Sequence, residues 1–265
     1  PIGSLLSLLN FNKTKIVVTW HSDIIKQKFL KKIVEIFQHK LCKKSNVITA
    51  TSPQLISFSN VLKSYKNKVK VLPLSIDLNK YKLEVHNQKN NYILYLGRLS
   101  YYKGIDLLLE AYENSTSKLP LFIVGDGEPE IVKSVNEFII KSKKKIIFIN
   151  EFVSEKKKND YIKDCMFLVF PSIYNSEAFG IIQLEAMSYS KPVLNTNLQT
   201  GVPWVSVHNV TGITVPVENV DELTKAIDKL SSLKLASKLG LKARQRVEEM
   251  FTDDIILKKL NQIYK

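Results

Sequence analysis

Short apolar runs alternate along the chain with longer stretches in which apolar residues recur every three or four positions. Runs rich in Val, Ile, Leu and Phe predict buried strands, and the longer repeat predicts helices with one apolar face. Strands that alternate with helices form parallel sheets covered on both faces, so the pattern predicts an α/β fold. The predicted strands span residues 15–20, 46–51, 68–74, 92–97, 120–125, 145–150, 166–172, 192–196 and 211–216. The predicted helices span 24–44, 53–63, 104–114, 128–142, 154–163, 180–188, 221–230 and about 232 to the end.

A polar stretch without periodicity, residues 83–91, interrupts this pattern and predicts a linker between two sheets. We therefore expect a Rossmann-like N-terminal domain (1–82), a Rossmann-like C-terminal domain (92–245) and a final helix (246–265). The first of these supplies only about three strands, fewer than an open doubly wound half usually has, so we expect it to be truncated. The apolar start, residues 1–11, has no initiator Met or basic region and does not resemble a signal peptide. It is typical of a chain that begins partway through a domain.

The composition narrows the classes of partner and cofactor. The net charge is +14 and is carried almost wholly by lysine, with Arg98, Arg244 and Arg246 as the arginines. Proteins that read nucleic acid favour Arg for bidentate contacts, so nucleic acid is a disfavoured partner.

No apolar run reaches the roughly 18 residues of a membrane span. Neither the two cysteines nor the four histidines have metal-ligand spacing, so we expect no metal site and a reduced, cytoplasmic protein. These residues are Cys42, Cys165, His21, His39, His86 and His208.

The lysines are dense in the predicted helix 24–44, where apolar residues recur near helical spacing. One interpretation is an apolar stripe that faces the core, with a solvated lysine face on the other side. The other is docking to an anionic membrane surface. The two interpretations are compatible.

Two glutamates, Glu177 and Glu185, lie in the otherwise apolar stretch that follows a predicted buried strand. Ligands of open α/β sheets bind at the carboxyl ends of strands, so Glu177 is expected in the crevice. Glu185 is in the second turn of the next helix, and its side chain leans back toward the helix start. The unpaired amides of residues 179–181 suit an anion. The pattern indicates a ligand with hydroxyls and phosphate, while the alternative is two solvated charges.

Two cations, Arg98 and Lys103, flank the turn between a strand that ends at Gly97 and a helix that begins near Gly104. They can clamp a diphosphate, with Arg as a fork and Lys as a point charge. The alternative is two solvated surface cations. The turn lacks G-x-G-x-x-G, which lowers the prospect of an NAD-dependent oxidoreductase.

A third turn, FIVGDGEPE at residues 122–130, joins a strand to a helix through two glycines. We interpret it as a structural turn in which Gly125 and Gly127 form the edge of the cleft. The acidic residues Asp126 and Glu128 are weak evidence for a metal site.

Four separated stretches carry a resemblance to a known family, and they occur in that family's order. They are ILYLGRLSYYKGIDLLLEAY (93–112), LFIVGDGEPE (121–130), VFPSIYNSEAFGIIQLEAMSYSKPVLNT (169–196) and GVPWVSVHNVTGITVPVENVDELTKAI (201–227). Together they resemble the group-1, family-4 glycosyltransferases of GT-B fold, and Glu177 to Glu185 matches that family's E-x7-E motif. The stretches HSDIIKQK, TATSP and TGVPW are similar to those of bacterial members that assemble polysaccharide or lipopolysaccharide.

The resemblance implies two Rossmann-type domains with the donor cleft between them, and a role for each matching residue. Arg98 and Lys103 would bind the donor diphosphate as leaving group, and Glu185 would hold the ribose hydroxyls. Glu177 would lie by the donor sugar, which His21 would approach from the first domain. The base would meet the segment after a strand near residue 151. The matching donor-binding residues are Gly97, Arg98, Lys103, Gly125, Phe152, Val153, Glu177, Ala178, Phe179, Gly180, Ile181 and Glu185.

The implied reaction moves a sugar from a UDP- or GDP-sugar to a glycan or lipid-linked acceptor, with retention of anomeric configuration and without metal or cofactor. Fixed cations and a helix N-terminus replace a bound divalent ion. The family usually has a longer N-terminal part with a Gly-rich loop, so one alternative is a nucleotide-sugar-binding remnant without turnover. The other alternative is a basic protein that interacts with the membrane surface, on the inner face of the cytoplasmic membrane.

Overall fold

The computed structural model of the chain describes residues 14–23, 28–83 and 92–265. The predicted linker lies outside this part from residue 84 onward, and so do the apolar start and the first residues of the predicted helix 24–44.

The strands of the described ranges are short and fall inside the predicted apolar runs. They are β1 (Val17–Trp20), β2 (Val47–Ala50), β3 (Val69–Val71), β4 (Ile93–Leu96), β5 (Leu121–Val124), β6 (Ile146–Ile149), β7 (Phe167–Phe170), β8 (Val193–Thr196) and β9 (Gly212–Val215). The helices of the same ranges are α1 (Lys28–Lys44), α2 (Pro53–Phe58), α3 (Ile105–Asn114), α4 (Pro129–Lys141), α5 (Glu155–Asp164), α6 (Ile181–Ser188), α7 (Val202–Val205), α8 (Val220–Leu230), α9 (Leu233–Met250) and α10 (Asp253–Tyr264). Two 3₁₀ segments lie at Leu62–Lys68 and Leu78–Lys80.

In the described part of the chain, the strands form two sheets in which every neighbouring pair is parallel. The first has three strands in the order β1-β2-β3, and the second has six in the order β6-β5-β4-β7-β8-β9. The second sheet therefore grows to one side from β4 through β5 and β6, and to the other side from β7. The carboxyl ends of β4 and β7 meet where the order reverses, which is where open α/β sheets bind ligands.

Successive residues of a strand point to opposite faces of the sheet, and the six-stranded sheet has a buried apolar cluster on each face. Ile93 and Tyr95 of β4 belong to the cluster that includes side chains of α3, α4 and α8. Tyr92 and Leu94 belong to the other cluster, with side chains of α5 and α6. Burial on both faces explains why these strands are continuous apolar runs in the sequence. A separate cluster around Ile48 covers the three-stranded sheet.

The predicted helix from about 232 to the end is wrong in one respect, because α9 and α10 are separate helices. Phe251 is fully buried, and Thr252 has extended backbone before α10. The backbone amide of Ile76 donates to the carbonyl of Phe251 at 2.9 Å, and the amide of Asp253 donates to the carbonyl of Ile76 at 3.3 Å. This strand-like pairing needs an extended residue at 252, so the helix cannot continue through it.

The predicted helix 53–63 is also shorter in the structure, and the four-residue helix α7 was not predicted. Helix α2 ends because Ser59 adopts an extended conformation. The hydroxyl of Ser59 donates to Asp23 and accepts from the amide of Leu62, so the chain turns away there. Among the helices that the structure describes, none combines the length and the apolar character of a membrane span.

Helix α9 packs closely on the chain between α6 and β8 because Gly240 has no side chain. A Cβ atom built on Gly240 would lie 1.9 Å from the carbonyl oxygen of Ser190 and 3.4 Å from the ring of Pro192. The first distance is far inside van der Waals contact with backbone, so any larger residue must push the helix outward.

We expect Gly240→Ala to destabilise the protein, although Ala favours helix more than Gly does. The clash should outweigh the propensity gain of about 1 kcal/mol and lower the free energy of unfolding by about 1–3 kcal/mol. Leu241→Ala on the same helix is the control, since Leu241 is exposed. Thermal melting compares the two, and a Gly240→Ala melting temperature equal to that of the control would contradict the close approach.

Candidate functional site

The loops after β4 and β7 meet through an ion pair between Lys103 and Glu177. Their Nζ and Oε2 atoms are 2.5 Å apart, and the side chains are only 14% and 11% exposed. The Lys103 ammonium also lies 5.1 Å from the ring centroids of Tyr102 and Phe170. A cation–π contact of this kind adds to the attraction where water is largely excluded. The pair thus joins the two strands at the point where the sheet order reverses.

The main chain next to Lys103 is held against the end of β7. Gly104 has a φ of +66°, and a Cβ atom there would lie 2.2 Å from the carbonyl oxygen of Pro171. Only glycine adopts this left-handed conformation at such a close approach without strain. The glycine therefore lets the turn that bears Lys103 pack directly on the end of β7.

Glu177 is oriented by a second buried group, Ser172. The Ser172 hydroxyl donates to Oε2 of Glu177 at 3.2 Å. The Ser172 carbonyl in turn accepts from the hydroxyl of Thr196, the last residue of β8, at 2.5 Å. The three central strands β4, β7 and β8 therefore all contribute to the position of one carboxylate. Lys103 and Ser172 both donate to Oε2 of Glu177, and Oε1 has no partner among the described residues.

Glu185 lies in α6 and is also nearly buried, with its side chain 11% exposed. Its Oε1 atom accepts from the ammonium of Lys158 in α5 and from the hydroxyl of Tyr81 at 3.1 Å. Within the described ranges, Oε2 has no hydrogen-bond partner. A carboxylate with one satisfied and one open oxygen can accept a hydrogen bond from a ligand hydroxyl.

Four backbone amides just before and at the start of α6 donate no hydrogen bond to any described residue. These are the N–H groups of Ala178, Phe179, Gly180 and Ile181. The first amides of a helix have no partner inside the helix, and the helix dipole adds partial positive charge there. The segment is therefore suited to hold an anion. The ring of Phe179 is itself buried against Trp204 and Phe251.

Arg98 lies just past the end of β4, with an exposed side chain. Its carbonyl accepts from the hydroxyl of Tyr95 at 3.1 Å. Its guanidinium has no acceptor among the described residues. Arg98 can therefore bind an anion through its guanidinium without first breaking a contact to another described residue.

The other predicted site residues lie around this centre. Gly97 and Gly125 follow adjacent strands, and the amide of Gly97 donates to the carbonyl of Val124 at 3.0 Å. Phe152 and Val153 follow β6, the first with 88% of its surface exposed and the second packed against the core. His21 follows β1 in the first sheet and is exposed.

The acidic turn after β5 is built from backbone contacts. The carbonyl of Asp126 accepts from the amide of Leu99 at 2.7 Å, and the amide of Glu128 donates to the carbonyl of Leu99 at 2.9 Å. No group of three or more His, Cys, Asp or Glu residues is placed to hold a metal ion in the parts of the chain that the structure describes.

A cleft of about 610 Å³ lies beside these residues, between the carboxyl ends of the two sheets. One wall is formed by the segments after β1 and in α2, and the other by the segments after β7, β8 and β9. Its polar lining residues are Ser22, Asp23, Ser59, Asn60, Asn175, Asn197, Gln199, Thr200 and Glu218. These hydroxyls, amides and carboxylates lie among apolar side chains such as Leu55 and Phe58, a mixed lining that can accept and donate hydrogen bonds to a polyhydroxylated molecule.

Sequence reasoning did not identify Tyr81, Lys158 or Ser172 as part of the site. Tyr81 is 104 residues from Glu185, and Lys158 is 27 residues away. No local spacing could connect them to the motif. Ser172 was detectable in principle, because it ends the predicted strand that precedes Glu177.

Comparison with known proteins identifies relatives over most of the chain. The family described as glycosyl transferases group 1 matches residues 79–247. O-antigen chain mannosyltransferase C of Escherichia coli is 30% identical over 276 residues, which cover 100% of this chain and 72% of that protein. D-rhamnosyltransferase WbpZ of Pseudomonas aeruginosa is 30% identical over 261 residues, which cover 95% of this chain and 68% of that protein.

Solved structures share the fold at lower identity. Anabaena Alr3699/HepE in complex with UDP has a TM-score of 0.85 and 18% identity, and the match covers 98% of this chain and 74% of that one. Sucrose-phosphate synthase from Thermosynechococcus elongatus has a TM-score of 0.81 and 23% identity, with 99% and 70% covered. The predicted α/β fold of GT-B type is confirmed by these likenesses.

We expect the Lys103–Glu177 pair to contribute measurably to stability, because each partner would otherwise leave a nearly buried charge unpaired. In a double-mutant cycle of Lys103→Met and Glu177→Gln, the coupling energy should be roughly 1–3 kcal/mol. Urea unfolding of the four proteins measures it. The exposed pair Lys133–Glu137, with side chains 79% and 57% exposed, is the matched control. It should couple by no more than about 0.5 kcal/mol, and equal coupling in the two cycles would contradict the burial argument.

Proposed function

The chain belongs to the group 1 glycosyl transferases, and we propose that it transfers a sugar from a UDP- or GDP-sugar to a glycan or lipid-linked glycan acceptor. One observation supports this most. Arg98 and Lys103 follow β4, Glu177 follows β7, and Glu185 lies in the next helix, so all four belong to the two strands where the order of the six-stranded sheet reverses. A nucleotide sugar presents the complementary groups, namely a diphosphate and many hydroxyls.

We propose that the diphosphate binds between the Arg98 guanidinium, the Lys103 ammonium and the amides at the start of α6. Arg98 is exposed and has no competing acceptor among the described residues, so it can fork onto phosphate oxygens. Lys103 is already paired with Glu177 and would share its charge with the ligand. These groups would stabilise the negative charge that develops on the leaving diphosphate without a bound metal ion.

The two glutamates would then bind different parts of the donor. Glu185 would accept hydrogen bonds from the ribose hydroxyls through its open oxygen. The base would lie against the exposed ring of Phe152 and beside Val153. Glu177 would accept from a hydroxyl of the donor sugar, with Gly97 and Gly125 at the edge of the cleft.

The proposed chemistry is substitution with retention at the anomeric carbon. The bond from that carbon to the diphosphate oxygen breaks, and the acceptor hydroxyl forms the new bond on the same face. The leaving phosphate oxygen takes the proton of the acceptor hydroxyl, so no enzyme base or cofactor is required. The side chain of His21 would approach the donor sugar from the first sheet.

The relatives indicate the class of product. Those that match over most of this chain include an O-antigen chain mannosyltransferase and a D-rhamnosyltransferase. We therefore propose that this chain acts in the assembly of a bacterial surface polysaccharide. Its acceptor sugar would lie in the polar cleft between the two sheets.

We propose a cytoplasmic location, at the inner face of the membrane where a lipid-linked acceptor would be presented. Cys42 and Cys165 are both free, as expected in a reducing compartment. Ile36 and Phe37 on α1 are 57% and 41% exposed, on a helix that ends in lysines. Exposed apolar side chains beside cations are suited to contact with anionic headgroups.

Calorimetric titration with UDP, GDP, ADP and dTDP, with and without EDTA, tests the proposal directly. We expect one nucleotide to bind in the micromolar range and EDTA to leave its affinity unchanged. Release of that nucleotide from its sugar conjugate in the presence of acceptor would separate a working transferase from a nucleotide-sugar-binding remnant. If none of the four nucleotides binds, the donor site proposed above is wrong.

Arg98→Ala should weaken binding of that nucleotide by about 1.5–3 kcal/mol, the loss of a charge-assisted hydrogen bond. Lys103→Ala should have a similar effect. Lys133→Ala, which removes an exposed lysine on α4, is the control for net charge. Unchanged affinity in both Arg98→Ala and Lys103→Ala would remove the diphosphate clamp from the proposal.

Glu185→Ala should weaken nucleotide binding but leave the affinity for inorganic pyrophosphate unchanged, because pyrophosphate has no ribose. The same calorimetric titrations with the two ligands measure the difference. Equal losses for nucleotide and pyrophosphate would contradict the ribose role of Glu185.

A further inference from the structure

The carboxylate of Glu185 is held through one oxygen by two side chains that lie far from it in the sequence. The hydroxyl of Tyr81 and the ammonium of Lys158 both donate to Oε1. The other oxygen, Oε2, has no partner in the described part of the chain. A carboxylate rotates about its last side-chain bond with little resistance unless contacts stop it. Here two donors at the same oxygen fix which oxygen remains open.

Tyr81 is itself fixed by its surroundings. It is only 3% exposed, and its ring packs edge-on against Tyr189 with centroids 5.3 Å apart. Its carbonyl accepts from Nη1 of Arg244 at 2.9 Å. The same guanidinium nitrogen donates to the carbonyl of Ser188, the last residue of α6. The helix that bears Glu185 and the segment that bears Tyr81 are therefore joined at two points.

Tyr81 is also held in the protonated state that can donate. Burial, followed by the nearby Glu185 carboxylate, raises the pKa of Tyr81 above its usual range. A raised pKa means that the hydroxyl keeps its proton as the pH rises through the ordinary tyrosine range. The Tyr81 hydroxyl is thus a donor to Glu185 rather than a second negative charge beside it.

Lys158 supplies the charge that a nearly buried carboxylate needs. Its side chain is 23% exposed, so it is reached by solvent more than Glu185 is. A nearly buried charge without a partner is costly, and the Lys158 ammonium supplies that partner at Oε1. Because the ammonium contacts Oε1, the side of the carboxylate that bears Oε2 stays open.

On the basis of the function proposed above, we propose that Tyr81 and Lys158 are positioning residues that fix Glu185 through Oε1 so that Oε2 accepts a ribose hydroxyl. Neither residue needs to touch the nucleotide. Their effect should appear only in the discrimination between ligands that carry ribose hydroxyls and ligands that do not. A purely structural role would change the affinity for all ligands together.

The experiment compares UDP and GDP with their 2′,3′-dideoxy counterparts and with pyrophosphate by calorimetry. In Tyr81→Phe the ring and its packing remain, and the hydrogen bond to Glu185 is lost. We expect the affinity for the ribonucleotide to fall about threefold to tenfold, the effect of one hydrogen bond. The affinities for the dideoxynucleotide and for pyrophosphate should change by less than about twofold. Tyr92→Phe is the matched control, since its hydroxyl donates to the carbonyl of Tyr161 in the same buried cluster.

Lys158→Met provides an independent variant. It should remove most of the preference for the ribonucleotide over the dideoxynucleotide, and Lys158→Arg should restore it because the positive charge returns. Lys156→Met, which changes an exposed residue on the same helix, controls for the loss of one positive charge. A rise in ribonucleotide affinity in Lys158→Met would overturn the proposal, because it would mean that Lys158 blocks Glu185.

Glu185→Ala separates failure of this inference from failure of the proposed function. If Glu185→Ala removes the ribonucleotide preference while Tyr81→Phe and Lys158→Met retain it, Glu185 binds ribose without positioning help and the inference is wrong. If Glu185→Ala itself retains the preference, the ribose role in the proposed function is wrong and the inference fails with it. Thermal melting of each variant shows whether it is folded before its affinity is compared.

Discussion

A nearly buried ion pair between Lys103 and Glu177 is the contact on which the arrangement of the candidate site depends. It joins the loops after β4 and β7, which are neighbours in the sheet but 74 residues apart in sequence. The sheet hydrogen bonds pair β4 with β7 at Ile93 and Leu94, and beyond them the loops must supply their own contacts. Here the loops provide opposite charges, a glycine that allows close approach, and a serine hydroxyl. Arg98 follows β4 and the unpaired amides lie just before α6, so both flank the two loops that this pair joins.

Both glutamates of the motif are organised in the same way. Each lies at low exposure, and each accepts from a lysine and from a hydroxyl at a single oxygen. A charge in such surroundings would be costly without a partner, and the lysine offsets that cost. The second oxygen of each carboxylate stays open among the described residues. Two open carboxylate oxygens, the exposed Arg98 guanidinium and the unpaired amides before α6 form a surface that suits a molecule with both hydroxyls and phosphates.

The sequence predicted most of the fold because both faces of the larger sheet are buried. Strands such as Phe167–Phe170 are therefore continuous apolar runs that stand out from the charged helices between them. The breaks at Ser59 and Thr252 were missed because they depend on contacts with Asp23 and Ile76, which no local pattern reveals. The motif residues of the site were found from their positions after strands. Their partners were not, since Tyr81 lies outside every predicted helix and strand and Lys158 looks like an ordinary residue of a charged helix.

The path of the chain between the two sheets has a mechanical consequence. The amide of Leu72 donates to the carbonyl of Ala50 in the first sheet, while Leu74 packs against the core of the second. From Ile76 to Tyr81 the chain is hydrogen-bonded to the C-terminal helices and to α6's glutamate. The chain therefore passes from contacts with the first sheet to contacts with the second at Pro73. If the two sheets close over a substrate, the chain cannot rotate about φ of Pro73, because the proline ring restricts it. The rotation must then occur mainly about the backbone bonds on either side of that bond. Tyr81 would then move with the six-stranded sheet and keep its hydrogen bond to Glu185 while the three-stranded sheet rotates.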